Sequence, residues 1–166
     1  MILENKVLMM QFLGNIEAKI DAKTRVFVPA AFRKILQSSG QNTLILRKDI
    51  FQDCLILYPL QVWEEEVARL RSRLNRWDRE QQALFRQFVV AAERLEIDAN
   101  GRILIPKRYC QMVGIVSELR FLGVDNIIEI WANEALDETL IPADEFSSRI
   151  QVLMKQGEAN NDTQNN

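Results

Sequence analysis

Short stretches in which apolar and polar residues alternate recur along the chain, and this pattern predicts β-strands. The stretch from Arg25 to Val28 is typical, because it carries two β-branched valines within four residues. Eight strands are expected, at residues 12–20, 25–28, 43–47, 54–58, 95–97, 102–105, 119–123 and 127–131. The pattern therefore predicts a β-rich protein.

Apolar residues spaced three and four apart predict helices between and after these strands. Pro29 and Pro106 each suit the first position of a short helix, because the N–H that proline lacks is not needed there. Connecting helices are expected from a seam at residues 60, 63, 67, 70 and 74 and a second face at residues 77, 84, 85, 88 and 92. Asn133 is a candidate N-cap, and Pro142 begins a further helix to Met154. The expected fold class is α+β.

One segment of the chain occurs twice. Residues 21–33 and residues 98–110 share Asp, Ala, Arg and Pro at matched positions with an offset of 77, so Asp21 corresponds to Asp98 and Arg25 to Arg102. The last strands of the two copies match with an offset of 73. One copy is too small to bury a good core alone. The two copies are therefore expected to pair as a pseudo-dimer within one chain.

The repeats divide the chain into five parts. We expect repeat 1 at residues 15–62, connecting helices at 63–91, repeat 2 at 92–135, a C-terminal helical segment at 136–156 and a disordered tail at 157–166. The tail is polar and rich in asparagine, a composition that cannot bury an apolar core.

The composition argues against most kinds of enzyme and membrane protein. The chain has no histidine, the commonest general base and metal ligand. Cys54 and Cys110 lack metal-ligand spacing and are expected to be buried free thiols. No run of 18 apolar residues occurs, and the patchy segment from Met1 to Leu13 lacks the features of a secretory signal. We expect no catalysis, no metal or cofactor, no small-molecule substrate and no membrane span.

Charge is distributed unevenly, although the net charge is only −2. Residues 1–60 carry eight basic and five acidic side chains, whereas residues 132–166 carry two basic and seven acidic ones. An electropositive face, built from the N-terminal part of the chain, is therefore expected on this acidic protein, and such a face is compatible with a nucleic-acid partner.

The doubled Asp-x-x-x-Arg, followed by three apolar residues, Pro and a short helix, resembles the MraZ family. The resemblance runs from about Leu13 to Leu136 and includes Tyr58-Pro-Leu-x-x-Trp63 and Ile128-Glu-Ile-Trp131. It implies an AbrB-like swapped-hairpin β-barrel with pseudo-two-fold symmetry, built from two tandem repeats with flanking and C-terminal helices.

The resemblance also implies a function. Members of the family are bacterial DNA-binding transcription factors that act on the promoter of the division and cell wall gene cluster, which includes their own gene. They bind G-rich direct repeats in double-stranded DNA and assemble into rings. A cytoplasmic, nucleoid-associated homo-oligomer that acts as a repressor is thus expected.

Transferred to this sequence, the DNA-facing turns of the family point to Arg25 and Arg102, with Lys23 beside the first. An arginine fork can pair with O6 and N7 of guanine or with a phosphate. Asp21 and Asp98 are expected to accept hydrogen bonds from the turn backbone. Gly101 is the usual family residue before the arginine, and the first copy departs from it with Thr24.

Several alternatives remain open on the sequence. The Asp98 turn is also a good hairpin turn without any DNA contact, and Lys23 can equally be a solvated turn residue. Thr24 implies either a different turn geometry or a backbone strain of roughly 1–3 kcal/mol. Basic residues at 33, 34, 47, 48, 107 and 108 supply phosphate contacts or nothing. The acidic segment 132–166 favours a second function, an antitoxin-like protein-interaction module.

Overall fold

The computed structural model describes residues 10–164, with side chains described through residue 161. The strands are β1 (Phe12–Lys19), β2 (Arg25–Phe27), β3 (Thr43–Lys48), β4 (Leu55–Pro59), β5 (Glu93–Glu96), β6 (Arg102–Leu104), β7 (Glu118–Asp125) and β8 (Ile127–Trp131). The helices are α1 (Ala30–Ser38), α2 (Leu60–Arg73), α3 (Arg79–Val90), α4 (Lys107–Val113), α5 (Asn133–Thr139) and α6 (Ala143–Gln164). The chain divides into two compact units, one ending at Ala135 and one beginning at Leu136.

The strands of the first unit form two antiparallel sheets. The larger has six strands in the order β1-β7-β8-β4-β3-β5, and the smaller is a ribbon of β2 and β6. Exchanging each strand for its counterpart in the other repeat reverses the six-strand order and leaves its neighbours unchanged. The repeats are thus related by a pseudo-two-fold arrangement in which their strands interleave. The α+β class and the pairing of the two repeats are confirmed.

The larger sheet is open, and the expected closed β-barrel is wrong for the described part of the chain. Strands β1 and β5 are its edges. After β1 the chain leaves the ladder through a turn at Asp21, and β2 then pairs with β6 in a separate ribbon. The inner side chains of that ribbon, Val26 and Ile103, join the main core. The ribbon therefore packs on the core instead of closing the barrel.

Apolar side chains cover both faces of the central strands. Leu44 and Leu46 of β3 belong to the main core, in which Phe12 and Phe32 meet edge to face with their ring centroids 5.5 Å apart. Ile45 lies between Leu44 and Leu46 in sequence and faces the opposite side of the sheet, where it packs in a second cluster with α2 and α3. Burial on both faces explains why β3 and β4 are almost continuously apolar instead of alternating.

Arg47 packs against the second cluster. The sequence left this residue open as a phosphate contact, and the structure gives it a structural role instead. Its guanidinium donates from Nε to the Phe88 carbonyl at 3.0 Å and lies 4.3 Å from the centre of the Phe88 ring. Trp63 stacks on the same ring, with the two ring centroids 5.3 Å apart. Arg47 therefore fastens α3 to the sheet. Trp77, at the tip of the α2–α3 hairpin, is 96% exposed.

The second unit departs from the expected disordered tail, because α6 continues through Gln164. Gly157 weakens this helix most, and one glycine costs a helix about 1 kcal/mol relative to alanine. The polar side chains that suggested disorder are compatible with an exposed helix. The end of the expected tail at residues 165–166, and residues 1–9 of the N-terminal segment, lie outside the described residues.

Candidate nucleic-acid interface

The turn from Asp21 to Arg25 is held by hydrogen bonds to one carboxylate. Oδ1 of Asp21 accepts from the backbone N–H groups of Lys23 and Arg25, each at 2.9 Å. Oδ2 accepts from Nε of Arg25, also at 2.9 Å. Two backbone hydrogen bonds close the turn, from Asp21 to the Arg25 carbonyl and from Thr24 to the Asp21 carbonyl, each at 3.0 Å. The aspartate therefore fixes both the backbone and the arginine side chain.

The second turn repeats this arrangement. Oδ1 of Asp98 accepts from the N–H groups of Asn100 and Arg102 at 2.9 Å, and Oδ2 accepts from Nε of Arg102 at 3.2 Å. The backbone N–H of Gly101 donates to the Asp98 carbonyl at 3.0 Å. The structural role expected for Asp21 and Asp98 is thus present in both turns. Sequence reasoning missed that each carboxylate also holds the arginine.

Both aspartates are strongly hydrogen-bonded acceptors. The backbone N–H of Arg25 is the main cause that lowers the pKa of Asp21 below its ordinary value, and that of Arg102 does the same for Asp98. Each carboxylate is therefore charged at neutral pH. Because Nε of the arginine already faces this charge, the two terminal nitrogens of the fork remain for a further acceptor.

The β2–β6 ribbon brings the two turns together. Arg25 lies opposite Leu104, and Phe27 lies opposite Arg102. The ends of the ribbon are fastened crosswise, because Val28 N–H donates to the Gly101 carbonyl at 3.0 Å and Ile105 N–H to the Thr24 carbonyl at 2.9 Å. The turns are 77 residues apart in sequence and adjacent in space.

One face of the ribbon is exposed and carries both arginines. Phe27 is 57% exposed and Leu104 is 52% exposed. The guanidinium carbon of Arg102 lies 5.8 Å from the centre of the Phe27 ring, which is within cation–π range. We call these four side chains, Arg25, Phe27, Arg102 and Leu104, the ribbon face. Phe27 and Leu104 were missed by sequence reasoning, although alternation with buried Val26 and Ile103 was the available signal.

Neither arginine is tucked into the core. The side chain of Arg25 is 33% exposed and that of Arg102 is 24% exposed, and each borders its turn. Lys23 is exposed at the tip of the first turn. The three residues expected to contact DNA therefore lie on the surface, and the structure brings the two arginines together.

Thr24 adopts the same left-handed backbone conformation as its counterpart. Its φ is 62°, and that of Gly101 is 85°. The sequence allowed either a different turn geometry or a strained backbone at Thr24. The two turns have the same geometry, so the backbone at Thr24 is strained. A β-branched residue in this region is disfavoured, because its Cβ crowds the neighbouring backbone.

Replacing Thr24 with glycine is expected to stabilise the protein by about 1 kcal/mol, since the relief of strain exceeds the extra entropy of the unfolded chain. Urea unfolding measures the change in free energy, and in thermal unfolding the melting temperature should rise by about 2–4 °C. Ala22→Gly in the same turn is the control, because Ala22 has an ordinary negative φ, and it should not stabilise. Equal effects of the two changes would contradict the strain.

The comparisons with known proteins follow the two-repeat pattern. A family model described as MraZ protein, antitoxin-like, matches residues 11–87 and residues 88–149. The chain belongs to the MraZ family. The resemblance on which the sequence analysis relied is thereby confirmed.

Relatives named transcriptional regulator MraZ match most of the chain. The relative from Bacteroides fragilis is 55% identical over 89% of this chain and 94% of its own length. The relative from Bacteroides thetaiotaomicron is 53% identical over 88% and 94%, and the one from Christiangramia forsetii 34% identical over 88% and 94%. The name assigns these MraZ relatives to transcription regulation, which is not an enzyme activity.

Within residues 10–164, no helix is long and apolar enough to cross a membrane, and no group of three His, Cys, Asp or Glu side chains is placed to hold a metal. Cys54 and Cys110 are buried free thiols as expected, and burial raises the pKa of both. The ribbon face of this MraZ protein is thus the candidate site.

Proposed function

We propose that this protein is a sequence-specific DNA-binding transcriptional regulator whose ribbon face contacts double-stranded DNA. The observation that carries the proposal is the pair of guanidinium groups on one exposed face, each held through Nε by its own aspartate. A fork held in this way needs little further ordering when it binds, so less conformational entropy is lost. Its terminal nitrogens match O6 and N7 of guanine in the major groove.

The spacing of the two arginines suits neighbouring bases. They are diagonal neighbours across paired strands, and such pairs are roughly 7–8 Å apart. Successive base pairs are separated by about 3.4 Å, so the two forks span roughly two base-pair steps. A short G-rich sequence is the target that fits, and Lys23 at the tip of the first turn is placed to contact a phosphate.

We also propose that the protein forms a homo-oligomer, and the resemblance to the family implies that this oligomer is a ring. Few contacts per protomer and a net charge of −2 give weak binding for one copy. Several protomers on direct repeats about one helical turn apart add their contacts by avidity. We propose repression of the division and cell wall gene cluster, including the protein's own promoter, by such an assembly on the nucleoid in the cytoplasm.

The direct test measures binding to DNA from upstream of the protein's own gene by fluorescence anisotropy. The G-rich repeats should bind more tightly than a duplex of the same composition in scrambled order. Affinity should fall as salt rises, with a slope in log–log form of about −0.9 for each phosphate contacted. Equal affinity for the scrambled duplex would show that sequence-specific recognition is absent.

A second candidate function has one observation in its favour. Helix α6 exposes the apolar side chains of Phe146, Ile150 and Leu153 at a spacing of four and three, in the acidic C-terminal segment. Such a seam is typical of a helix that packs on another protein. A stoichiometric protein partner, together with no measurable DNA binding, would favour the antitoxin-like interaction module.

A further inference from the structure

Arg33 of α1 lies on the second turn, although it belongs to the first repeat. A Cβ built on Gly101 would be 2.2 Å from Nη1 and 2.8 Å from Cζ of Arg33. The guanidinium thus occupies the space that a side chain at position 101 would fill, and it would have to move aside for one. Gly101 is buried beneath it. Its φ of 85° favours glycine at this position, and the missing side chain lets the guanidinium lie against the turn.

The cation of Arg33 differs from those of the ribbon face in having no acidic partner. Arg25 and Arg102 each pair with an aspartate. Among residues 10–161, the side chain of Arg33 makes no hydrogen bond or ion pair, and its Nε is buried without an acceptor. A half-buried guanidinium without an acidic partner is costly to the free protein, and an anion bound at its terminal nitrogens would offset that cost.

The surroundings of Arg33 leave room for such an anion. A pocket of about 410 Å³ is lined by Arg33, Asn42, Asp98 and Gly101, among others. Asp98 is an acidic member of this lining, but both of its oxygens accept hydrogen bonds from its own turn and from Arg102. The pocket therefore offers a cation and an amide next to the ribbon face.

The arrangement breaks the pseudo-symmetry of the two repeats. With the offset of 77, the counterpart of Gly101 is Thr24 and the counterpart of Arg33 is Cys110. Cys110 is buried and free. The second repeat therefore has no guanidinium at the position equivalent to Arg33.

We infer that Arg33 is a third DNA contact, which binds a backbone phosphate beside the second turn. The inference rests on the proposed function and deepens it. Lys23 is the proposed phosphate contact of the first turn, and its counterpart in the second turn is the uncharged Asn100. Arg33 supplies the second turn with a phosphate contact, and contacts of this kind set the register of a protein on DNA.

Phosphate ethylation interference on the full-length protein tests this contact. The wild type should show, in each G-rich repeat, an ethylation-sensitive phosphate beside the guanines that is separate from the phosphate contacted by Lys23. In Arg33→Gln this signal should disappear, affinity should fall about five- to tenfold, and the salt slope should decrease by about one for each protomer engaged. Arg33→Lys should keep the signal, because a phosphate accepts either cation.

Lys34→Gln is the matched control, since it removes one charge from the adjacent residue of the same helix and should leave this signal in place.

An unchanged ethylation pattern and affinity in Arg33→Gln, while Arg25→Ala loses binding, overturns the inference and leaves the proposed function standing. Where Arg33→Gln fails to fold, Lys23→Gln decides the question: loss of every ethylation-sensitive phosphate in that variant overturns the inference, because Arg33 should still contact its own phosphate. Loss of affinity with the salt slope and ethylation signal unchanged assigns Arg33 a purely structural role. A wild type that binds no DNA removes the proposed function together with the inference.

Discussion

Replacing both Arg25 and Arg102 with alanine should abolish binding to G-rich direct repeats without unfolding the protein. A bidentate arginine–guanine pair contributes about 1–3 kcal/mol of discrimination, which is between about fivefold and about a hundredfold for each contact. Because every engaged protomer loses two such contacts, the loss on a repeated site should exceed a thousandfold. Exposed ion pairs like those to Asp21 and Asp98 contribute about 0–1 kcal/mol, so the fold should persist.

The measurement is an anisotropy titration of the double variant, with circular dichroism and sedimentation to show that fold and oligomer survive. Arg120→Ala is the matched control. Its side chain is 26% exposed and paired with Glu17, much as the 24% exposed Arg102 is paired with Asp98, but it lies on β7 away from the ribbon. The control should bind DNA normally. Normal binding by the double variant would rule out the ribbon face as the DNA surface.

A lysine at position 25 separates the two parts of the proposed contact. Arg25→Lys keeps the positive charge but loses the planar fork, so the two-pronged match to guanine is lost. The variant should therefore retain most of its salt-dependent affinity for any duplex while its preference for G-rich DNA falls. This result would assign the guanidinium geometry, and not charge alone, to sequence recognition.

The turns could be predicted from the sequence because their chemistry is local. Asp21 and Arg25 are four residues apart, and the hydrogen bonds that hold them lie within that interval. The recurrence of the same residues at Asp98 and Arg102 then indicated two equivalent sites. Strand positions followed as well, since alternation and β-branching are properties of single segments.

The features that sequence reasoning missed all depend on contacts between distant segments. The ribbon face requires β2 to pair with β6, and no local pattern fixes this register. Arg33 and Gly101 are far apart in the chain, so nothing in either repeat alone indicates that they touch. The open sheet arises for the same reason, because strand order is decided by packing of the whole core.

Cutting the chain between α2 and α3 should leave two fragments that are each unfolded as monomers. Six strand pairings hold the two sheets, and only β3–β4 and β7–β8 join strands of the same repeat. The other four, β1–β7, β2–β6, β3–β5 and β4–β8, join the two repeats. An isolated hairpin is marginally stable in water at best, so neither fragment retains enough structure to fold alone.

Fragments 1–75 and 76–166, mixed in equal amounts, should regain a cooperative melt and dispersed NMR signals, because mixing restores all four exchanged pairings and the shared core. A chain ending at residue 141 is the control, since it lacks α6 but keeps every strand, and it should fold without a partner. Either fragment could satisfy its strands by pairing with a second copy of itself, so sedimentation must accompany the spectra. A fragment that is both monomeric and cooperatively folded would mean that one repeat holds a sufficient core, and the interleaved strands would then not be what stabilises the fold.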